Sequence, residues 1–272
     1  APVMAAEPAY TPGITNTVSW AEATDAGSGM TGGQAGYQAQ SATNAGFTTD
    51  VVNSSWLSPS TLSCGFGAGS GARVYYYRVR ARDALGNVGD WSAYVSSFHD
   101  SGPPSAPVMA AEPAYTAGLI NTVSWEAATD AGSGMTGGQA GYYVRRATNA
   151  DFTSGLADSG WLSPSTLSYT FPGLTDGQEY YYRVMARDTA GNVGFWSEYV
   201  SSTQDNTPPS TPVMTAEPPY TAGSTNTVSW TASTDTGSGM TGGTAGYRVM
   251  RARNASLDRK STRLNSSHGI IS

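Results

Sequence analysis

The octet Ala1-Pro-Val-Met-Ala-Ala-Glu-Pro8 returns unchanged as Ala106-Pro-Val-Met-Ala-Ala-Glu-Pro113. It returns once more as Thr211-Pro-Val-Met-Thr-Ala-Glu-Pro218, each time 105 residues further on. Trp20, Trp125 and Trp230 keep that register, as do Asp25, Asp130 and Asp235 and the Gly-Ser-Gly-Met runs behind them. Solenoid repeats run to about 20–50 residues, so this period is too long for one. It matches the roughly 100 residues of a whole two-sheet sandwich.

The second repeat is the most regular and predicts seven short strands. They fall at Val108–Glu112, Thr122–Glu126, Tyr142–Ala147, a weak one within Phe152–Leu162, Leu167–Phe171, Tyr180–Arg187 and Trp196–Ser202. Thr-Val-Ser-Trp125 and Tyr180–Arg187 alternate apolar and polar residues with the period of two that a half-buried strand requires. Asp130–Ala140 is rich in Gly and Ser, and Asp188-Thr-Ala-Gly-Asn192 combines turn formers, so both read as loops. Only 12% of the 272 residues are charged, against 33 Gly, 15 Pro and 11% aromatics. The fold class is therefore all-β, a tandem of immunoglobulin-like sandwiches.

Leu174-Thr-Asp-Gly-Gln-Glu-Tyr180, Thr-Val-Ser-Trp125, Tyr181-Tyr-Arg-Val-Met-Ala-Arg-Asp188 and Gly191-Asn-Val-Gly-Phe-Trp-Ser197 together resemble bacterial fibronectin type III modules. The resemblance implies that Tyr180, and Tyr75 in the first repeat, is a corner tyrosine bonded back to the upstream chain. It also implies that Trp20, Trp125, Trp230 and Leu174 are core landmarks. Modules of this family commonly serve as spacers or binding accessories in secreted or surface proteins, often beside hydrolase domains. The expected domains are residues 1–102, 103–207 and a third, 208–257, with only its first three strands. The joints Asp100-Ser-Gly-Pro-Pro-Ser-Ala-Pro107 and Asp205-Asn-Thr-Pro-Pro-Ser-Thr-Pro212 favour extended backbone. They predict modules set end to end and held semi-rigidly.

Two stretches break the pattern. Phe66-Gly-Ala-Gly-Ser-Gly-Ala-Arg-Val-Tyr75 stands where the second repeat has Phe171-Pro-Gly-Leu-Thr-Asp-Gly-Gln-Glu-Tyr180, so Gly69 replaces the core Leu174. A paired local frameshift accounts for the change. Losing the buried leucine is expected to cost about 2–5 kcal/mol. Asp258-Arg-Lys-Ser-Thr-Arg-Leu-Asn-Ser-Ser-His268 resembles the conceptual translation of a sequencing-library adapter, and residues 258–272 are set aside on that ground. With Ala1 in place of an initiator Met, the chain is expected to be a fragment of a longer protein.

A net charge of −6 argues against a nucleic-acid partner and against anionic membranes. No apolar run reaches the roughly 20 residues of a membrane span, so membrane insertion is not expected. Cys64 is the single cysteine, which rules out an intrachain disulfide. The two histidines are His99, beside a joint, and His268 in the tail, so no nucleophile–base arrangement is expected, nor any cofactor. Asp25, Asp130 and Asp235 could offer oxygens to Ca²⁺, as could Asp83 with Asn87 and Asp188 with Asn192. They lack the dense carboxylate spacing of an EF-hand, and turn chemistry explains them without a metal.

Alternation also predicts an outward face carrying Tyr181, Arg183, Met185 and Arg187, joined by Tyr143 and Arg145 on the neighbouring strand. Such a face suits stacking on a carbohydrate or a protein partner, although cross-strand pairing explains it as well. The first repeat has Tyr76, Arg78, Arg80 and Arg82 but Gln38 and Gln40 opposite, so the face is expected to be kept only in part. The function expected is a non-catalytic spacer or interaction segment of a secreted or cell-surface protein. The alternative is a carbohydrate- or protein-binding accessory of a hydrolase or adhesin.

Overall fold

The computed structural model describes residues 1–241 and 245–252, and the suspected tail at 258–272 lies outside them. The first repeat forms β1 (Val3–Met4), β2 (Tyr10–Pro12), β3 (Thr15–Ala21), β4 (Gly36–Ala42), β5 (Val52–Asn53), β6 (Ser63–Gly67), β7 (Arg73–Arg82) and β8 (Val95–Asp100). The second forms β9 (Val108–Met109), β10 (Tyr115–Ala117), β11 (Asn121–Glu126), β12 (Gly141–Ala147), β13 (Ala157–Leu162), β14 (Ser168–Phe171), β15 (Glu179–Arg187) and β16 (Val200–Asp205). Each repeat packs a three-stranded sheet, β1-β3-β6 or β9-β11-β14, against a five-stranded one, β2-β8-β7-β4-β5 or β10-β16-β15-β12-β13.

Each of the first two repeats has eight strands where seven were expected, because the expected first strand stops early and a further strand forms beyond the proline. Val108 and Met109 pair with β11; the chain then passes Pro113, crosses to the other sheet, and lies parallel to β16 from Tyr115 to Ala117. Proline has no N–H for a sheet ladder, which makes it a natural crossing point. The last strand begins at Val200, four residues after the expected Trp196. Ser197 is the reason. Its amide donates to the Val184 carbonyl at 2.8 Å and its Oγ accepts from the Val184 amide at 3.1 Å, which holds Trp196 in an irregular segment over the sheet.

The cores follow from the alternation. In the second sandwich Val123, Trp125, Tyr142, Val144, Phe171, Tyr182 and Val184 are buried between the sheets. Val18, Trp20, Tyr37, Ala39, Phe66, Tyr77 and Val79 do the same in the first. Trp125 stacks at 5.6 Å on Tyr142, whose hydroxyl accepts the Ala128 amide at 2.9 Å. Trp20–Tyr37 repeats this at 5.7 Å, with Ala23 as donor at 2.8 Å, and Trp230–Tyr247 at 5.5 Å, with Ser233 as donor at 2.7 Å. That pair is most of what the third repeat retains. Among its described residues the only ladder element is the bridge between Met214 and Trp230, and Tyr247–Met250 is exposed. In the first two repeats that segment pairs along its length with β7 or β15.

The corner tyrosines differ between the two sandwiches. The Tyr180 hydroxyl accepts the Thr175 amide at 3.1 Å, and Leu174 is buried beside it. The Tyr75 hydroxyl accepts the Gly69 amide at 2.7 Å, one residue further back, and Ala68 packs on the core in the region Leu174 fills.

Candidate functional site

The outer face of the five-stranded sheet carries an interleaved ladder of arginines and aromatic rings. In the second sandwich β15 supplies Arg183 and Arg187, β12 supplies Tyr143 and Arg145, β13 supplies Trp161, and loops supply Phe152 and Trp196. Arg187 lies 4.3 Å over Trp161, and Arg183 lies 4.4 Å over Trp196 and 3.9 Å over Phe152. Arg145 reaches Trp196 at 5.4 Å and grips Asp158 through two bonds of 2.6 and 2.9 Å. Those bonds pull the Asp158 carboxyl below its ordinary value and raise the Arg145 guanidinium. Burial lowers Arg183, consistent with a guanidinium held between rings rather than in water. Tyr143 meets Trp161 at 5.4 Å, while Tyr181 stands off to one side, stacked on Tyr199 at 5.4 Å and bonded to Glu179 at 2.9 Å. The structure thus joins Tyr143, Arg145 and Arg183 in one cluster and leaves Tyr181 at its edge.

The first sandwich carries a comparable ladder, with Gln38, Gln40 and Arg80 where the second has Tyr143, Arg145 and Met185. Arg78 sits between Phe47 and Trp91 at 3.9 and 4.6 Å. Arg80 reaches Trp91 at 4.5 Å, and Arg82 lies over Trp56 at 4.4 Å. Gln40 and Gln38 do not interrupt it. Their side-chain carbonyls accept from Arg78 and Arg80, each at 2.7 Å, in the places Arg145 and Tyr143 occupy in the second sandwich. Sequence reasoning missed Phe47, Trp56 and Trp91 with their partners Phe152, Trp161 and Trp196. The signal was present, since each pair keeps the 105-residue register.

A second constellation lies where the two sandwiches meet. Asp100 ends β8, the last strand of the first sandwich, while Asp130 and Asp188 lie in the loops after β11 and β15 of the second. One carboxylate oxygen from each of the three lies within 4.8 Å of the others. Asp100 and Asp188 are almost wholly buried. This group could hold a divalent cation, but its oxygens are already engaged. Asp130 accepts the Gly132 and Gly134 amides, Asp188 the Gly191 and Asn192 amides, and Asp100 the Ser133 amide at 2.6 Å. Turn chemistry therefore accounts for Asp130 and Asp188, and Asp100 is the member that sequence reasoning missed.

The remaining candidates are placed plainly. His99, beside the joint, lies fully buried, with its Nε2 2.8 Å from the Tyr77 hydroxyl. Cys64 is half-buried on β6, and burial raises its thiol. His268 lies outside the described residues. No helix among the described residues is long and apolar enough to cross a membrane.

No family model matches the chain. It is 38% identical to Exoglucanase B of Cellulomonas fimi over 190 residues, which is 65% of this chain and 16% of that protein. It is 35% identical to Endoglucanase B of Cellulomonas fimi over 161 residues, or 57% of this chain and 13% of that one. Chitinase A1 of Niallia circulans is 30% identical over 215 residues, covering 76% and 26% respectively. The chain thus spans about a quarter or less of the relatives it matches. Among solved structures, the FN1–FN3 domains of chicken CNTN1 align with a TM-score of 0.47 and 15% identity, over 75% of this chain and 67% of that one.

Two sheets of three and five strands, a core Trp on β3 or β11 and a corner tyrosine on β7 or β15 define immunoglobulin-like β-sandwiches. With the Leu-x-x-Gly-x-x-Tyr run that leads into β15 and the pairing order of each five-stranded sheet, they fit the bacterial fibronectin type III-like pattern that the sequence resembles.

Proposed function

We propose that this chain is a non-catalytic spacer segment of a larger extracellular polysaccharide-degrading protein, holding other domains at a set distance. The observation that carries the reading is the joint between the modules. Asn192 of the second module donates its side-chain amide to the Asp100 carbonyl at 2.9 Å. Ser133 donates to the Asp100 carboxylate, and Ser105 and Thr129 exchange backbone and hydroxyl bonds at 2.8 and 2.9 Å. A joint of two prolines that is bonded to the next module along its length resists bending. The relatives named for glucan and chitin cleavage support the setting, since the match takes up a small share of each.

The aromatic ladder favours support over ligand binding, because Trp196 has both Arg183 and Arg145 over it and is not an open platform for a sugar. The test is small-angle scattering with ¹⁵N relaxation on the chain. The first two modules should tumble as one body, and Asp100→Ala with Asn192→Ala should loosen them. Independent tumbling of the unaltered modules would sink the spacer reading. Retention on insoluble cellulose or chitin that disappears with Trp196→Ala would replace it with a binding role.

A further inference from the structure

The head of the first module carries an open cleft lined by Thr24, Asp25, Arg82, Asp83, Asn87 and Gly89. The residues 105 positions later enclose the tail Asp100–Ser105 of the first module. There Ser133 binds the Asp100 carboxylate, Asn192 its carbonyl, and Thr129 the Ser105 hydroxyl and amide. The next joint repeats much of this. Ser238 donates to the Asp205 carboxylate at 2.7 Å and holds it below its ordinary pKa, and Thr234 and Ser210 exchange two bonds of 2.8 Å. Both tails share the pattern Asp-x-x-Pro-Pro-Ser.

At the first head the matching donors are present and unengaged. The backbone amides of Ser28 and Thr24 have no acceptor among the described residues, and the Asn87 side-chain amide reaches only Asp83, at 2.7 Å. Exposure follows the difference. Asp188 is buried and Asn192 half-buried beneath the Asp100 tail, whereas Asp83 is half-buried and Asn87 exposed. We propose that this cleft is a docking surface for the Asp-x-x-Pro-Pro-Ser tail of another module of the same kind. The incoming carboxylate meets the Ser28 amide, its carbonyl meets the Asn87 side chain, and the serine hydroxyl meets Thr24. The carboxylates of Asp25 and Asp83 do not bar it, because Asp130 and Asp188 stand in the same places beside a seated Asp100.

The inference extends the spacer reading but is tested at a different joint. A copy of residues 106–210 is fused ahead of Ala1, so that its Ser210 meets Ala1 as Ser105 meets Ala106. Hydrogen exchange at the Ser28 and Thr24 amides should slow by on the order of tenfold or more. An Asp205→Ala change in the added copy should restore fast exchange at Ser28. Unchanged exchange at both amides, with the added module folded, overturns the proposal whatever the Asp100–Asn192 joint does. A free peptide spanning residues 98–107, added to the unfused chain, distinguishes the source. Movement of the Asn87 side-chain amide resonance means that a tail from a separate molecule also docks. Slowing in the fusion alone means that the tail must be tethered.

Discussion

The hydroxyl of Tyr75 accepts its corner bond from Gly69, six residues upstream, at 2.7 Å, whereas Tyr180 accepts from Thr175, five residues upstream, at 3.1 Å. The corner bond has survived the loss of leucine by moving one residue along the chain, with Ala68 supplying part of the missing packing. Replacing residues 66–75 with the sequence of residues 171–180 should stabilise the first module by about 2 kcal/mol, the scale of burying one leucine side chain. The reciprocal Leu174→Ala should cost the second module about 2–5 kcal/mol. Denaturant unfolding of each variant checks both, and a graft that leaves the midpoint unmoved would show that the shifted corner is already fully packed.

His99 makes the first module acid-sensitive in a way the second is not. Burial lowers its pKa from the ordinary 6.5, and Gln204 stands at its position in the second module. The folded state then binds fewer protons than the unfolded one between the lowered value and 6.5. Stability is full above 6.5 and falls as the pH drops through that window. Thermal unfolding followed against pH should show this slope in the first module, and His99→Gln should flatten it.

Tyr77 and Tyr182 are fully enclosed, and burial pushes both phenols up to about 12. A folded pKa above the unfolded 10 stabilises below 10 and is lost as the pH rises towards 12. Alkaline titration followed by tyrosinate absorbance should show a late fraction near 12 that disappears in the Tyr77→Phe, Tyr182→Phe double variant. Ionisation of every tyrosine close to 10 would mean that these rings are reached by water.

The ladder contributes stability through Trp196, which packs against both Arg183 and Arg145. Trp196→Ala should destabilise the second module by about 1–3 kcal/mol and leave the first unchanged. Arg183→Lys keeps the charge but loses the flat stacking surface, at a cost of about 0.5–1 kcal/mol. Calorimetry separates the two modules, and an Arg183→Lys variant as stable as the unaltered chain would show that charge rather than stacking is what matters.

The sequence alone was enough to recognise the 105-residue period, the alternation along Tyr180–Arg187 and the outward placing of Tyr143, Arg145 and Arg183. These features are local. A strand turns successive side chains to opposite faces whatever lies beyond it, and a repeated stretch of sequence repeats its strands. The extra strand at Tyr115–Ala117 and the late start of the last needed the tertiary structure, because each depends on a partner outside its own segment: β16 for Tyr115–Ala117, and Val184 for Ser197. The ladder was decided there too. The arginines lie on one strand, but Trp161, Trp196 and Phe152 reach them from another strand and two loops. The meeting of Asp100 with Asp188, 88 positions apart, depends on how one module seats on the next. Strand periodicity is written residue by residue, whereas docking depends on where loop ends come to rest, and only the packed sheets determine that.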